Sequence, residues 1–197
     1  GMQVANKLKQ IRDMNLDIDM IAPAHGVIWR SYIPELLQAY EEFATFQSVD
    51  KAVIVYESVW KHTQMMAEAL AEGMGRNGVC VKIFKCSMTS PAIIQKELLD
   101  AKAILVGSGN YNNAMSGSIA AFLEKLISCK VKNKKGLGFG SYGWANLVTK
   151  EINARLVKAG ITLLNDEVVS QNYTPSEEDL DALMELGKQI AEEIKAM

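Results

Sequence analysis

The sequence has little net charge and no long apolar segment. Its formal net charge is -2 and its pI is about 5.8, which excludes a whole-chain attraction to nucleic acid or to an anionic membrane. No apolar run is long enough to span a bilayer, and the first residues lack the apolar region of a signal peptide. We therefore expect a cytoplasmic protein that acts away from membranes.

Cysteine is scarce, and its spacing excludes the common metal and redox motifs. Cys80, Cys86 and Cys129 form no C-x-x-C pair. An odd number of cysteines without a secretory signal favours reduced thiols. Because Cys80 and Cys86 lie at even spacing around a predicted strand, we expect them to share a buried face as small apolar side chains.

Several motifs that would define a nucleotide or catalytic site are also missing. Neither G-x-G-x-x-G nor G-x-x-x-x-G-K-[ST] stands directly after the first predicted strand, which argues against dinucleotides and nucleoside triphosphates. The third predicted strand ends in Gly107-Ser108 rather than in an aspartate, which argues against a phospho-receiver domain. His25 and His62 are the only histidines, and no catalytic triad or paired-carboxylate site can be assembled from the loops that follow the predicted strands.

What the sequence does contain is a regular alternation of strands and helices from Lys51 onward. Strands are predicted over residues 52–56, 79–84, 103–106, 136–140 and 161–169. Helices are predicted over residues 63–76, 91–99, 119–127, 147–159 and 176–195. This alternation predicts an α/β fold, with a parallel sheet covered by helices on both faces and joined by right-handed crossovers.

Local signals mark several helix ends. Asn77-Gly78 predicts the end of the first of these helices, with glycine in the left-handed conformation. Ser90 precedes Pro91 as an N-cap, and Ser176 with Asp179 resembles a capping box.

Residues 1–50 follow a different pattern. Helices are predicted at 4–14 and 34–44, and a strand at 19–22. This segment is too short to bury a core of its own. We therefore expect residues 1–50 to be an appendage, or the end of a domain that is otherwise missing, and residues 51–197 to form the α/β domain.

Three loops follow predicted strands and provide the candidate binding residues. In an open parallel sheet, ligands bind outside the carboxyl ends of the strands. Loop one contains Glu57, Ser58, Val59, Trp60, Lys61, His62 and Thr63. Loop two contains Gly107, Ser108, Gly109, Asn110, Tyr111, Asn112 and Asn113. Loop three contains Ser141, Tyr142, Gly143, Trp144 and Ala145, followed by Asn146.

The composition of these loops suits a ligand with a phosphate at one end and a flat ring at the other, such as FMN. Loop one begins a helix, whose free N–H groups can hold a phosphate, although Thr63 could instead cap that helix. In loop two, Gly107 and Gly109 would give backbone flexibility and the asparagine amides would pair with ring edges. The aromatic side chains would stack on the ring, and a buried Glu57 would tune its potential.

The same residues resemble a known family. The segments that carry the resemblance are Phe139-Gly140-Ser141-Tyr142-Gly143-Trp144, Gly107-Ser108 followed by Tyr111-Asn112-Asn113, and Ser58-Val59-Trp60 with Thr63. They are similar to the flavodoxin-like domain of flavodiiron proteins (A-type flavoproteins). Pro23-Ala24-His25-Gly26 and Ile28-Trp29-Arg30 resemble the end of that family's metallo-β-lactamase-like diiron domain.

The resemblance implies a fold, a cofactor and partners. The fold would be a flavodoxin-like three-layer sandwich, with a five-stranded sheet in the order 2-1-3-4-5 and FMN at the three loops. Family members reduce dioxygen or nitric oxide at a diiron site that receives electrons from FMN, generally across a head-to-tail dimer. A redox partner such as a rubredoxin or a diiron domain, and a homodimer, are implied in the same way.

The chain also departs from the family pattern. It has no H-x-E-x-D-H run, so it cannot complete a diiron site, and His25 would be an orphaned iron ligand. Lys61 stands where the family usually has glycine, Gly109-Asn110 replaces a usual Pro-Thr, and Ala145-Asn146-Leu147 replaces a more glycine-rich stretch.

Three functions follow as hypotheses. The leading one is an FMN-binding electron-transfer flavoprotein, the flavodoxin-like part of a flavodiiron-type oxygen or nitric oxide reductase without its diiron domain. The alternatives are an FMN-dependent NAD(P)H:quinone reductase and a binding module without a cofactor.

Overall fold

The computed structural model describes residues 1–165 and 167–197, which divide into an N-terminal unit, Gly1–Ser48, and a C-terminal unit, Val49–Met197. The N-terminal unit has two helices, α1 (Met2–Asp13) and α2 (Ile33–Ala44). Among its residues, the buried apolar side chains are Leu8, Ile33 and Ala44. An ion pair between Arg12 and Glu41 joins the two helices.

The strand expected at residues 19–22 is wrong. Only Ile21 takes part in a β-bridge there, exchanging two backbone hydrogen bonds of 2.9 Å with Trp29 in the antiparallel sense. The intervening Pro23 and Gly26, which has a φ of 113°, turn the chain back instead of extending it.

The C-terminal unit alternates strands and helices. Its strands are β1 (Val49–Glu57), β2 (Cys80–Lys85), β3 (Ala101–Ser108), β4 (Lys135–Tyr142), β5 (Thr162–Leu163) and β6 (Val169–Asn172). Its helices are α3 (His62–Arg76), α4 (Pro91–Leu99), α5 (Gly117–Cys129), α6 (Val148–Lys158) and α7 (Glu177–Lys195), with a short 3₁₀ helix at Cys86–Met88. None of these helices, nor those of the N-terminal unit, is both long and apolar enough to cross a lipid bilayer over the described residues.

The sheet is parallel and has the strand order β2-β1-β3-β4-β5, with β6 also paired to β4. This confirms the expected α/β class and order. Central strand β1 is buried on both faces because its apolar residues alternate sides: Ala52 and Ile54 pack toward α3 and α7, and Val53 and Val55 pack toward α4 and α5. β-Branched side chains suit such a doubly covered strand.

The single fifth strand expected over residues 161–169 is wrong. β5 pairs with Lys135 and Gly136 at the start of β4, whereas β6 pairs with its end, beginning at Phe139. Between Leu163 and Val169 the chain advances six residues while its partner advances three, so the segment leaves the sheet and returns. Asp166, which falls in the expected strand, lies outside the described residues.

The expected burial of two cysteines is also wrong. Cys80 is exposed because β2 is an edge strand, and Cys86 is half-buried in the 3₁₀ helix, where its Sγ donates to the Ser118 carbonyl at 3.4 Å.

Two of the three predicted helix-end signals are found in the structure. Gly78 has a φ of 80° after α3, and the Ser176–Asp179 capping box is formed, although Ser90 occupies its N-cap position without a side-chain hydrogen bond.

Helices α3 and α7 cross at two glycines. A Cβ added to Gly73 would lie 2.0 Å from the Met184 carbonyl oxygen, and one added to Gly187 would lie 2.4 Å from the Leu70 carbonyl oxygen. The two backbones therefore approach as closely as they do because neither crossing position carries a side chain.

Candidate functional site

The ends of β1, β3 and β4 bring the three loops to one edge of the sheet. Glu57 at the end of β1 is in register with Ser108 at the end of β3, and the Asn110 N–H donates to the Ser141 carbonyl at 3.0 Å. The loops enclose a cavity of about 290 Å³, near the lower bound of about 300 Å³ for small-molecule sites. Its lining residues are Ser58, Val59, Trp60, His62, Thr63, Gly109, Asn110, Tyr111, Ser141, Tyr142, Gly143, Trp144 and Tyr173.

The first turn of α3 lies at the cavity and has backbone N–H groups that are free to bind an anion. Lys61, at the N-cap, is left-handed with a φ of 68°, and no side chain caps the helix. The N–H groups of a first helical turn have no intrahelical acceptor. Thr63 does not supply one, since its Oγ1 lies 3.0 Å from Ser141 Oγ and ties loop one to loop three. The alternative that Thr63 caps α3 is therefore wrong.

Two indole rings stand at the rim of the cavity. Trp60 is 81% exposed and Trp144 is 95% exposed, so neither ring is part of the core. Exposed aromatic faces of this size are suited to stacking on a flat ligand. Tyr142, two residues before Trp144, is partly buried and also lines the cavity.

Tyr111 closes the cavity from loop two. Burial raises the pKa of its hydroxyl, and the nearby Glu57 charge raises it further.

Asn112 and Asn113 form the tip of a tight turn rather than part of the lining. Both are left-handed, with φ of 51° and 64°, and Tyr111 and Ala114 exchange backbone hydrogen bonds across them. Asparagine is favoured at such positions because it tolerates a positive φ. Both side chains are exposed, so the expectation that they reach a ring edge gains no support from the structure.

Gly107 and Ser108 stabilise the fold and do not line the cavity. Gly107 lies within β3, and a Cβ there would meet the Phe139 ring at 2.4 Å. The residue thus makes room for a core side chain, and the expectation that it gives flexibility is wrong. Ser108 is fully buried, and its Oγ donates to Gly109 and accepts from the Ser116 N–H at 3.0 Å. Like these residues, Lys61 and Ala145 do not line the cavity.

Glu57 is buried but faces away from the lining. Its carboxylate accepts hydrogen bonds from the N–H of Ser58 at 3.2 Å, from the N–H of Ser87 at 2.9 Å and from Ser118 Oγ at 3.1 Å. Burial acts to raise the pKa of this carboxyl, but the hydrogen bonds from Ser87, Ser58 and Ser118 together lower it. Glu57 therefore fixes the start of loop one to the 3₁₀ helix and to α5.

One side-chain acceptor in the cavity wall has no hydrogen-bond partner among the described residues. It is Oδ1 of Asn110, which is buried while the Nδ2 of the same amide donates to the Ala145 carbonyl. A buried acceptor without a partner is unfavourable.

Sequence analysis missed Tyr173. The β6–α7 loop reaches the same edge as the other three loops because β6 pairs with the end of β4. Tyr173 donates its N–H to the Tyr142 carbonyl at 2.8 Å, and Thr174 Oγ1 lies 2.9 Å from His62 Nε2. The strand-end rule would have found this loop had the fifth strand not been ended at residue 169.

Other parts of the chain are weaker candidates for a binding or metal site. A larger groove of about 840 Å³ lies in the N-terminal unit, but Lys7 is the one charged residue among its described lining residues, so no charged groups converge there. His25 is exposed. Over the described residues, no group of three His, Cys, Asp or Glu side chains is placed to hold a metal ion.

Comparisons with known proteins identify the family of this chain. The flavodoxin family model matches residues 54–187. The nitric oxide reductase of Moorella thermoacetica is 40% identical over 191 residues, which are 97% of this chain and 48% of that protein. The solved structure of the rubredoxin oxygen:oxidoreductase of Desulfovibrio gigas has a TM-score of 0.90 at 31% identity and covers 98% of this chain and 49% of that one.

A flavodiiron protein from Giardia intestinalis shares the fold, with a TM-score of 0.88 at 22% identity over 98% of this chain and 48% of that one. The chain thus spans about half the length of these relatives. The resemblance to the flavodoxin-like half of flavodiiron proteins is confirmed, and flavin binding is implied with it. From this match and from the strand order, the chain belongs to the flavodoxin family.

Proposed function

We propose that this chain binds FMN and acts as an electron-transfer domain. The observation that carries the proposal is the presence of two features at one cavity: an uncapped helix N-terminus and exposed aromatic rings. An anionic group and a flat ring on the same ligand match these two features, and FMN has both.

The phosphate would be held by loop one. The free N–H groups of the first turn of α3 favour an anion through hydrogen bonding and through the helix dipole. Ser58 and Thr63 add hydroxyl groups to the lining, and His62 adds an imidazole. Lys61 contributes a positive charge next to this turn without lining the cavity.

The ring would lie among the aromatic side chains that line the cavity. Trp60, Trp144 and Tyr173 are exposed at the rim, and a bound ring would remove part of their apolar surface from water.

Bound FMN would supply the electron-accepting chemistry, while the chain would hold the ring, shield it from water and set its electrostatic surroundings. As further parts of the proposal, the electron partner is a redox protein such as a rubredoxin or a diiron domain, and the protein is a cytoplasmic homodimer. Reduction of dioxygen or nitric oxide would require a diiron site supplied from outside the described residues.

Visible absorption of the purified full chain tests the proposal directly. FMN is added in excess, unbound flavin is removed, and the retained flavin is quantified. About one flavin per chain, with riboflavin retained far less because it lacks the phosphate, is the expected result. Failure to retain FMN under saturating conditions would overturn the proposal and favour a binding module without cofactor.

A second assay separates electron transfer from the rival enzymatic function. The FMN-loaded chain is mixed with NAD(P)H and a quinone, and oxidation of the nicotinamide is followed. An electron-transfer domain should remain nearly silent. Rapid turnover would instead assign the site to an NAD(P)H:quinone reductase.

A further inference from the structure

Lys61 occupies the N-cap position of α3 against two local preferences. Its φ of 68° is left-handed, a conformation that glycine adopts readily and that is unfavourable for a residue with a Cβ. Its side chain also brings a positive charge to the positive end of the helix dipole. Departures of this kind cluster at binding and catalytic sites, where they serve a function.

The start of α3 also lacks the negative charges that usually stabilise a helix N-terminus. Its first turn has no acidic residue, whereas α7 begins with Glu177, Glu178 and Asp179 and has a capping box. Over residues 1–165 and 167–197, Lys61 forms no ion pair. In the ligand-free chain, the positive charge at this turn therefore has no anionic partner among these residues.

The cavity next to Lys61 contains an unused hydrogen-bond donor. Ser58 lines the cavity and is only 6% exposed. Over the described residues its backbone N–H donates to Glu57, but its hydroxyl group donates no hydrogen bond. Asn110 Oδ1 is the described side-chain atom that is both unpartnered and closed to solvent, so the Ser58 hydroxyl remains accessible from the cavity. This donor is a second and independent sign of a ligand with acceptor oxygens at loop one.

We propose that Lys61 is a specificity-determining residue, which makes the cavity select a ligand that ends in a doubly charged phosphate over the same ligand without the phosphate. This rests on the proposed function. Among the described residues that line the cavity there is no Asp, Glu, Lys or Arg, so Lys61, next to the first turn of α3, supplies the full positive charge. The resembling family usually has glycine at this position, so the selection is a property of this chain.

The side chain of Lys61 is exposed, so its charge acts through water and its effect is proportional to the charge of the ligand. A positive charge about 8 Å from a dianion in water strengthens binding about fivefold at low salt. A residue that only shaped loop one would instead affect charged and neutral ligands equally.

The test uses the full chain, three substitutions and three flavins. Lys61→Gln removes the charge, and Lys61→Arg retains it. Lys158→Gln is the matched control, because Lys158 is an equally exposed lysine at the far end of α6, about 15 Å along that helix from loop three. Dissociation constants are measured by flavin fluorescence for FMN, for riboflavin 5′-sulfate, which has one negative charge, and for riboflavin, which has none.

At about pH 8, where a phosphate monoester is a dianion, and at low salt, Lys61→Gln should weaken FMN binding about fivefold and riboflavin 5′-sulfate binding about twofold. Riboflavin binding should not change. Lys61→Arg should bind all three flavins like the unmodified chain, and Lys158→Gln should change none of them by more than about 1.5-fold. In about 0.5 M salt the effect of Lys61→Gln on FMN should fall below about twofold.

Several results would overturn the inference. Equal losses for FMN and riboflavin 5′-sulfate in Lys61→Gln would reduce Lys61 to a structural role in loop one. An unchanged FMN affinity would show that the helix N–H groups and hydroxyls bind the phosphate without it. The same loss in Lys158→Gln would assign the effect to the charge of the whole chain. Absence of FMN binding by the unmodified chain is distinct, because it refutes the proposed function and the inference with it.

Discussion

Replacement of Gly73 by alanine should destabilise the protein, although alanine is the better helix former. In an exposed helix interior, alanine is favoured over glycine by about 1 kcal/mol. At Gly73 the new Cβ would lie 2.0 Å from the Met184 carbonyl oxygen and 3.0 Å from the Gly187 Cα. These are backbone atoms, so no change of rotamer relieves the contact, and α3 and α7 must separate by more than an ångström.

Overpacking of this kind costs about 1–3 kcal/mol, and a contact between two backbones belongs at the upper end. After the gain in helix propensity, we expect a net loss of about 2 kcal/mol in the free energy of unfolding. For a unit of this size, that loss lowers the melting temperature by about 4–8 °C.

Gly75→Ala provides the matched control on the same helix. A Cβ at Gly75 has no neighbour within 4 Å, so this substitution should raise the free energy of unfolding by about 0.5–1 kcal/mol. Urea denaturation followed by far-ultraviolet circular dichroism, on ligand-free protein, measures both. Equal stabilisation by the two substitutions would refute the assigned helix crossing.

Three further measurements probe charge and aromatic contacts. Buried Lys134 donates to the Ala101 carbonyl, and burial lowers its pKa from 10.5 to about 8. The unfolded chain therefore binds more protons above about pH 8, and the free energy of unfolding should rise with pH between about 8 and 9.5, a rise that Lys134→Met should lack in urea denaturation. The lowered pKa of Glu57 predicts a dependence of the same sign at lower pH. Its stabilisation is present above about pH 4.5 and lost on acidification, so the advantage over Glu57→Gln should shrink as the pH falls below about 4.5. Trp144→Ala should weaken FMN binding several-fold, by about 0.5–1.5 kcal/mol, with unfolding unchanged; Tyr32→Ala, which removes a 69% exposed ring of the N-terminal unit, should leave both unchanged.

The sequence predicts well the elements that are decided by local pattern. The β-branched run of β1 and the amphipathic spacing of α3 each follow from burial of one set of side chains. The Ser176–Asp179 capping box follows from a local hydrogen-bond motif. The strand order was supplied by the resemblance rather than by periodicity, since parallel strands that are neighbours in space need not be neighbours in the chain.

The failures concern long-range contacts. Residues 161–169 read as one strand because both ends are apolar, and only pairing with β4 reveals the excursion between β5 and β6. Gly107 reads as a flexible loop residue, whereas its function depends on the ring of Phe139 in the next strand. Within the candidate site, loop positions follow from the strand ends, but the direction of each side chain, such as that of Glu57, depends on partners distant in sequence.

The double attachment of loop one has a consequence for the kinetics of ligand capture. On one side the Glu57 carboxylate is bonded to Ser87 and Ser118, and on the other the Thr63 hydroxyl is bonded to Ser141. Ordering a loop costs about 1–2 kcal/mol of conformational entropy per residue. Loop one is already ordered by these contacts in the folded chain, so ligand binding does not have to supply this free energy. Association should therefore proceed without a slow conformational step, and departure of the ligand should leave loop one in place to receive the next molecule.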